Sequence, residues 1–151
     1  MKIVTPGGSG QVGTLLARAF QARGDEVVVL SRGPQDAPWR VVPWDAKSLG
    51  PWAAELDGAD VVINLAGRSV NCRYGEEYRR QILDSRVDST RIVGEAIAAA
   101  RKPPKVWLQS STATIYAHRF DAPNDDLTGI LAANEADVPD TWRFSAEVAR
   151  A

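Results

Sequence analysis

Lys2-Ile3-Val4-Thr5-Pro6-Gly7-Gly8-Ser9-Gly10-Gln11-Val12-Gly13 is the stretch on which the reading of this chain turns. A short apolar run stops at a proline and a glycine cluster. From Gln11 to Arg23 the apolar residues Val12, Leu15, Leu16, Ala19 and Phe20 then recur at helical spacing. Gly24 follows where helices commonly stop, and Val27-Val28-Val29-Leu30 is a continuous run of the kind that parallel sheets bury on both faces. Strand, glycine turn, helix and strand make a βαβ unit. In that setting the glycines allow a tight turn, and the helix N-terminus offers free N–H groups and a favourable dipole to a pyrophosphate. The spacing is G-x-x-G-x-x-G, so Gly7, Gly10 and Gly13 are expected to shape an anion-binding loop.

Outward from this unit the alternation continues. Arg40-Val41-Val42 reads as a strand and Ser48 to Leu56 as a short helix broken by Pro51. Asp60 to Asn64 reads as a buried strand, Glu76 to about Ala100 as a long helix with Ile82, Val93 and Ile97 on one side, and Lys105 to Gln109 as a fifth strand. The stretch from Ala113 to Thr141 is turn-rich, and a last helix begins at Trp142. Strands alternating with helices predict an α/β fold, a doubly wound parallel sheet of the Rossmann type with right-handed crossovers.

Composition narrows the function. The chain has 151 residues, 18 Lys+Arg against 19 Asp+Glu, and a net charge of −1, which speaks against a nucleic-acid binder. No run approaches the roughly 18 apolar residues of a membrane span, and no secretory leader precedes Ile3, so the expectation is a soluble, cytoplasmic protein. Cys72 and His118 are each the only residue of their type. That leaves no thiolate cluster, no His-pair zinc site and no expected metal. The Gly-Gly-Ser-Gly-Gln run at 7–11 is neither a G-x-S-x-G nucleophile elbow nor a phosphate-loop NTPase motif.

The end of the second strand bears on cofactor choice. NAD enzymes usually place Asp or Glu there for the ribose 2′-hydroxyl, whereas an Arg suits the 2′-phosphate of NADP. Here Leu30 is followed by Ser31-Arg32, with no carboxylate before Asp36. NADP is the expected cofactor and NAD the second choice, against the alternative of a solvated loop arginine.

Gly7-x-x-Gly10-x-x-Gly13, Leu30-Ser31-Arg32, Trp44-Asp45, Asn64-Leu65-Ala66-Gly67, Asp84-Ser85-Arg86 and Ser110-Ser111-Thr112-Ala113-Thr114-Ile115-Tyr116 span nearly the whole chain. Together they resemble the short-chain dehydrogenase/reductase superfamily, and within it the atypical branch of NAD(P)-dependent epimerase/dehydratase-like proteins. One departure is Pro6, where the family usually has Thr. The resemblance implies cofactor contacts from Gly7, Ser9, Gly10, Gln11, Val12 and Gly13, from Ser31 and Arg32, and from Leu65, Ala66, Gly67 and Ser110. It also implies that Asp45 meets the adenine, against a simple turn aspartate, and that Arg86 enters the cofactor cleft, against a helix-surface role.

Active members of the superfamily use a Ser/Thr with a Tyr-x-x-x-Lys pair. Thr112 matches the first, with Ser111 beside it, but the place of the pair reads Phe144-Ser145-Ala146-Glu147-Val148. Tyr116 and His118 are weighed as substitutes and read instead as a packing aromatic and an exposed loop residue. The resemblance further implies about twice this length, so residues 1–151 are expected to be one NAD(P)-binding domain lacking the last strands and a C-terminal substrate domain.

Three functions follow as expectations. One is the cofactor half of an NADP-dependent epimerase or oxidoreductase acting on a sugar-nucleotide-type or other carbonyl substrate. Another is a noncatalytic NADP-binding module or redox sensor, and the last an interaction domain whose loop binds nothing. A homodimer through the helix at 76–100 is expected by analogy with dimeric relatives.

Overall fold

A computed structural model of the chain describes residues 1–132 and 137–151. Five strands, β1 (Lys2–Pro6), β2 (Glu26–Ser31), β3 (Arg40–Pro43), β4 (Val61–Asn64) and β5 (Val106–Gln109), form one parallel sheet in the order β3-β2-β1-β4-β5. Three α-helices, α1 (Gln11–Ala22), α2 (Glu76–Ala99) and α3 (Asp140–Arg150), accompany them. The described residues group into two compact units: Met1–Arg68 with Asp84–Ser110, and Ser69–Leu83 with Ser111–Ala151.

The first unit holds the sheet. Strand β2 explains why its sequence is unbrokenly apolar. Val27 and Val29 pack in one cluster with Ala17 of α1 and Trp39, while Val28 and Leu30 pack in another with Val4, Val62, Trp52 and Ile92, Val93 and Ala96 of α2. A strand covered on both faces has no solvent side on which alternation could appear. Fully burying each such side chain contributes about 1.5–3 kcal/mol.

Helix α1 corrects one expectation. Its inward residues are Gly13 and Ala17, with Leu16 and Phe20 half-buried, whereas Val12 and Leu15 are each 60% exposed. The buried face is thus offset by one position. Glycine at 13 is the cause, because it brings the start of the helix down onto Gly8: a Cβ at position 13 would overlap the Gly8 backbone. The helix expected over 48–56 is a 3-10 turn over Pro51–Glu55, with the proline at its first position, where the missing N–H costs nothing.

Strand β5 lies at the sheet edge, and Val106, Trp107 and Leu108 are all exposed. The second unit contains the first turns of α2, a 3-10 turn over Ala113–Ile115, an isolated antiparallel bridge between Tyr116 and Leu131, and α3. Phe144 and Ala146 are the buried residues of α3. Among the described residues no helix is long and apolar enough to cross a membrane.

Candidate functional site

In the first unit the glycine loop, the end of β2 and the end of β4 meet at the carboxyl edge of the sheet. The strand order reverses between β1 and β4, and crevices at such switch points are where open α/β sheets bind ligands. Gly7 turns the chain with φ +73°, and a Cβ there would fall 2.6 Å from the Ala66 Cα. The loop after β1 therefore lies directly against the loop after β4. Two backbone bonds fix this arrangement: Gly7 N–H donates to the Leu30 carbonyl at 2.9 Å, and Leu65 N–H donates to the Pro6 carbonyl at 2.8 Å. Pro6, the departure from the family pattern, is buried and still serves as an acceptor.

Gly10 is the N-cap of α1 and supplies no side-chain cap. Thr14 N–H closes the first helical bond to the Gly10 carbonyl at 2.9 Å, so the N–H groups of Gln11, Val12 and Gly13 have no acceptor among the described residues. Ser9, Gly10, Gln11 and Val12 are exposed at this helix end. Free N–H groups with a favourable helix dipole, on a loop whose only side chain between Gly7 and Gly10 is that of Ser9, are chemically suited to a pyrophosphate.

Ser31 ends β2 in a buried position, and its Oγ accepts from Gly33 N–H at 3.3 Å, shaping the turn. Arg32 is exposed and makes no hydrogen bond or ion pair to the described residues. Asp45 is held differently from a free contact. Its Oδ1 accepts from the N–H groups of Lys47 (2.9 Å) and Ser48 (3.0 Å), and its Oδ2 accepts from the Ser48 hydroxyl. The Ser48 hydroxyl, with the two N–H groups behind it, lowers the Asp45 carboxyl from its usual 3.8 to about 2. The same carboxylate steadies Ala46, which sits at φ 64°.

Leu65, Ala66 and Gly67 follow β4 as expected, and Asn64, Ser85 and Arg86 pin this loop. Buried Asn64 spans it: Nδ2 donates to Gln109 Oε1 of β5 at 2.9 Å, and Oδ1 accepts from Ala66 N–H at 3.1 Å. From α2, Ser85 Oγ accepts from Arg68 N–H at 2.9 Å, and Arg86 Nη1 donates to the Arg68 carbonyl at 3.1 Å. The Arg86 guanidinium lies over Gly67, where a Cβ would sit 3.0 Å from Cζ. In this structure Arg86 thus braces the β4 loop. Ser110 extends β5, its N–H donating to the Asn64 carbonyl at 3.0 Å. Asn64 is the positioning residue that sequence reasoning passed over as a site; a polar side chain closing an apolar strand was its signal.

Ser111 and Thr112 belong to the second unit and are exposed. Thr112 caps the 3-10 turn: its Oγ1 accepts from Thr114 N–H at 3.3 Å and lies 2.9 Å from Thr114 Oγ1. Thr114, rather than Thr112, lines an open cleft of about 500 Å³ whose other walls include Cys72, Tyr74, Thr141, Trp142 and Ser145. Phe144, expected from the resemblance at the superfamily's tyrosine position, is a buried residue of α3. Its ring meets Tyr74 edge-on at 5.7 Å, and the Arg79 guanidinium lies 5.0 Å from its centroid. Arg79 also pairs with Asp140 and donates to the Tyr74 carbonyl at 3.2 Å. His118, read from sequence as an exposed loop residue, is half-buried, with its ring edge-on to Phe120 at 4.9 Å and to Trp142 at 4.8 Å.

The model of the NAD dependent epimerase/dehydratase family matches residues 3–136. The chain belongs to this family. It is 32% identical over 129 residues to the epimerase family protein SDR39U1 of Homo sapiens, covering 83% of this chain and 42% of that protein. It is 34% identical over 119 residues to the epimerase family protein YfhF of Bacillus subtilis, covering 77% of this chain and 39% of the relative. The crystal structure of human SDR39U1 isoform 2 with NADPH superposes with a TM-score of 0.74 at 29% identity, over 99% of this chain and 48% of that one. The chain therefore spans less than half the length of these relatives. The Rossmann-type parallel sheet read from the sequence is the fold observed.

Proposed function

We propose that the first unit binds NADP and that the chain is the cofactor-binding part of an epimerase- or oxidoreductase-like protein acting on a carbonyl compound. The observation that carries this reading is the loop of Gly7 to Gly13. It is pressed onto Ala66 at the sheet's switch point and presents three N–H groups without acceptors among the described residues. The fit to the cofactor is chemical as well as steric. Gly7, Ser9, Gly10, Gln11, Val12 and Gly13 would hold the pyrophosphate, and Leu65, Ala66, Gly67 and Ser110 would line the path of the nucleotide. Ser31 and Arg32 would take the 2′-phosphate, since an unpaired guanidinium can form charge-assisted bonds there that a carboxylate could not. When bound, the nicotinamide supplies hydride chemistry.

Asp45 has three of its roughly four lone-pair sites engaged by Lys47 and Ser48, so its contribution to an adenine amino group rests on the remaining one. Arg86 contributes by fixing the β4 loop. The human relative's structure with NADPH, at 29% identity, supports NADP over NAD. Self-association through α2 belongs to the same reading and is checked by sedimentation.

A second reading, a noncatalytic NADP-binding module or redox sensor, is favoured by one feature: Phe144 is packed between Tyr74 and Arg79 with no phenol to offer. The test is to titrate the chain with NADPH and follow energy transfer from its tryptophans, then to add carbonyl compounds. Saturable transfer supports cofactor binding and its absence refutes it. Consumption of NADPH favours the enzyme, and persistent binding without turnover favours the module.

A further inference from the structure

Asn64 and Gln109 are register partners at the carboxyl ends of β4 and β5. Matched positions on neighbouring strands present their side chains to the same face, so the two amides meet. Asn64 Nδ2 donates to Gln109 Oε1 at 2.9 Å. The bond is one of a series. Asn64 Oδ1 accepts from Ala66 N–H at 3.1 Å, and Gln109 Nε2 donates to the Ser110 carbonyl at 3.2 Å. Ser110 N–H in turn donates to the Asn64 carbonyl at 3.0 Å. The loop after β4 and the residue after β5 are thus joined twice, once through backbone and once through two side chains.

The side-chain route runs in one direction. Turning either amide over would set nitrogen against nitrogen at one of its ends and oxygen against oxygen at the other. Asn64 is fully buried, so an unpaired Nδ2 there would be costly, and Gln109 supplies its acceptor. Gln109 itself is exposed on the sheet's edge strand, so core packing does not account for its amide. What the amide does is tie Ala66, through Asn64, to Ser110. Ala66 is also the residue against which Gly7 is pressed, so the contacts run from the glycine loop to the end of β5.

The topology says which part of a cofactor this arrangement serves. In the order β3-β2-β1-β4-β5, the proposed 2′-phosphate site follows β2 and the proposed pyrophosphate loop follows β1. A dinucleotide lying across that edge carries its adenosine over β2 and its nicotinamide half over β4 and β5. We infer that Gln109 is a positioning residue for the nicotinamide half of the cofactor, holding Ala66 and Ser110 at a fixed separation through the Asn64 amide. The inference rests on the NADP-binding reading and deepens it, because it assigns a role to a side chain that lies outside the glycine loop and acts through Asn64.

Gln109→Ala removes both side-chain hydrogen bonds at an exposed position. The variant and the unsubstituted chain are titrated by calorimetry with NADPH and with adenosine 2′,5′-bisphosphate, which has the 2′-phosphate but no nicotinamide. Exchange of the Ala66 amide is followed by NMR in both proteins without ligand. NADPH affinity is expected to fall roughly three- to tenfold, with adenosine bisphosphate affinity unchanged and Ala66 exchange accelerated. Retained binding of the bisphosphate also shows that the variant is folded. Equal losses for the two ligands would reduce Gln109 to general structural support and overturn the inference. Unchanged NADPH affinity, or unchanged Ala66 exchange, overturns it as well. If the unsubstituted chain does not bind NADPH, the cofactor reading falls and the inference with it; binding that is equal in the two proteins removes the inference alone.

Discussion

Gly7 and Ala66 lie so close that a Cβ on the first would fall 2.6 Å from the Cα and 2.7 Å from the N of the second. Substituting Gly7 must move the backbone of one loop or the other. Its φ of +73° adds a penalty that any side chain incurs. A Cβ on Gly10, in the same loop, would meet nothing nearer than the Gly7 carbonyl at 3.9 Å. Gly7→Ala is therefore expected to cost on the order of 1–3 kcal/mol or more and to abolish NADPH binding. Gly10→Ala is expected to cost under about 1 kcal/mol as a changed N-cap, with its loss concentrated in cofactor affinity. Thermal melts with and without NADPH separate the two; equal stability losses would contradict the account.

Arg32 stands exposed beside Ser31 and has no partner among the described residues. If it reads the 2′-phosphate, Arg32→Ala removes a charge-assisted contact of about 1.5–3 kcal/mol and weakens NADPH roughly ten- to hundredfold. NADH, lacking that phosphate, is expected to be nearly unaffected. Paired titrations of the variant measure this, and equal losses for both nucleotides would assign Arg32 no such role.

Much of the sheet was legible because burial on both faces writes itself as unbroken apolar runs, as in Val27 to Leu30 and Val61 to Ile63. The glycine loop was legible because close backbone approach admits no side chain. The buried face of α1 was misread for the same reason: Gly13, silent in a hydrophobic count, is the residue that seats the helix. The second unit was largely hidden. Its packing joins Tyr74 and Arg79 near the start of α2 to Phe144 and Asp140 far along the chain, and no local periodicity records such a meeting. The cleft escaped notice likewise, since scattered hydroxyls carry no motif.

Asp45 titrates in a predictable direction. Its folded carboxyl is lowered to about 2 from 3.8, so the ionised form contributes stability that is present above the unfolded value and is lost as pH falls through the folded one. Asp45→Asn keeps the shape but not the charge. The variant is expected to melt below the unsubstituted protein at neutral pH, with the gap closing between about pH 4 and pH 2. Melts of both proteins across this window check it; a gap that widens toward acid would reverse the assignment.

Phe144 anchors the second unit through Tyr74 and Arg79. Phe144→Ala is expected to cost about 3–5 kcal/mol of local packing, read as accelerated hydrogen exchange along α3. Unchanged protection of those amides would show that the ring does not hold the helix.

The most direct measurement is the ratio of NADPH to NADH affinity for the unsubstituted chain at fixed ionic strength, from tryptophan energy-transfer titrations of each. A glycine loop and a free Arg32 acting together predict saturable binding of both nucleotides, with NADPH tighter by roughly tenfold or more. Equal affinities, or no saturable binding of NADPH, would contradict the account.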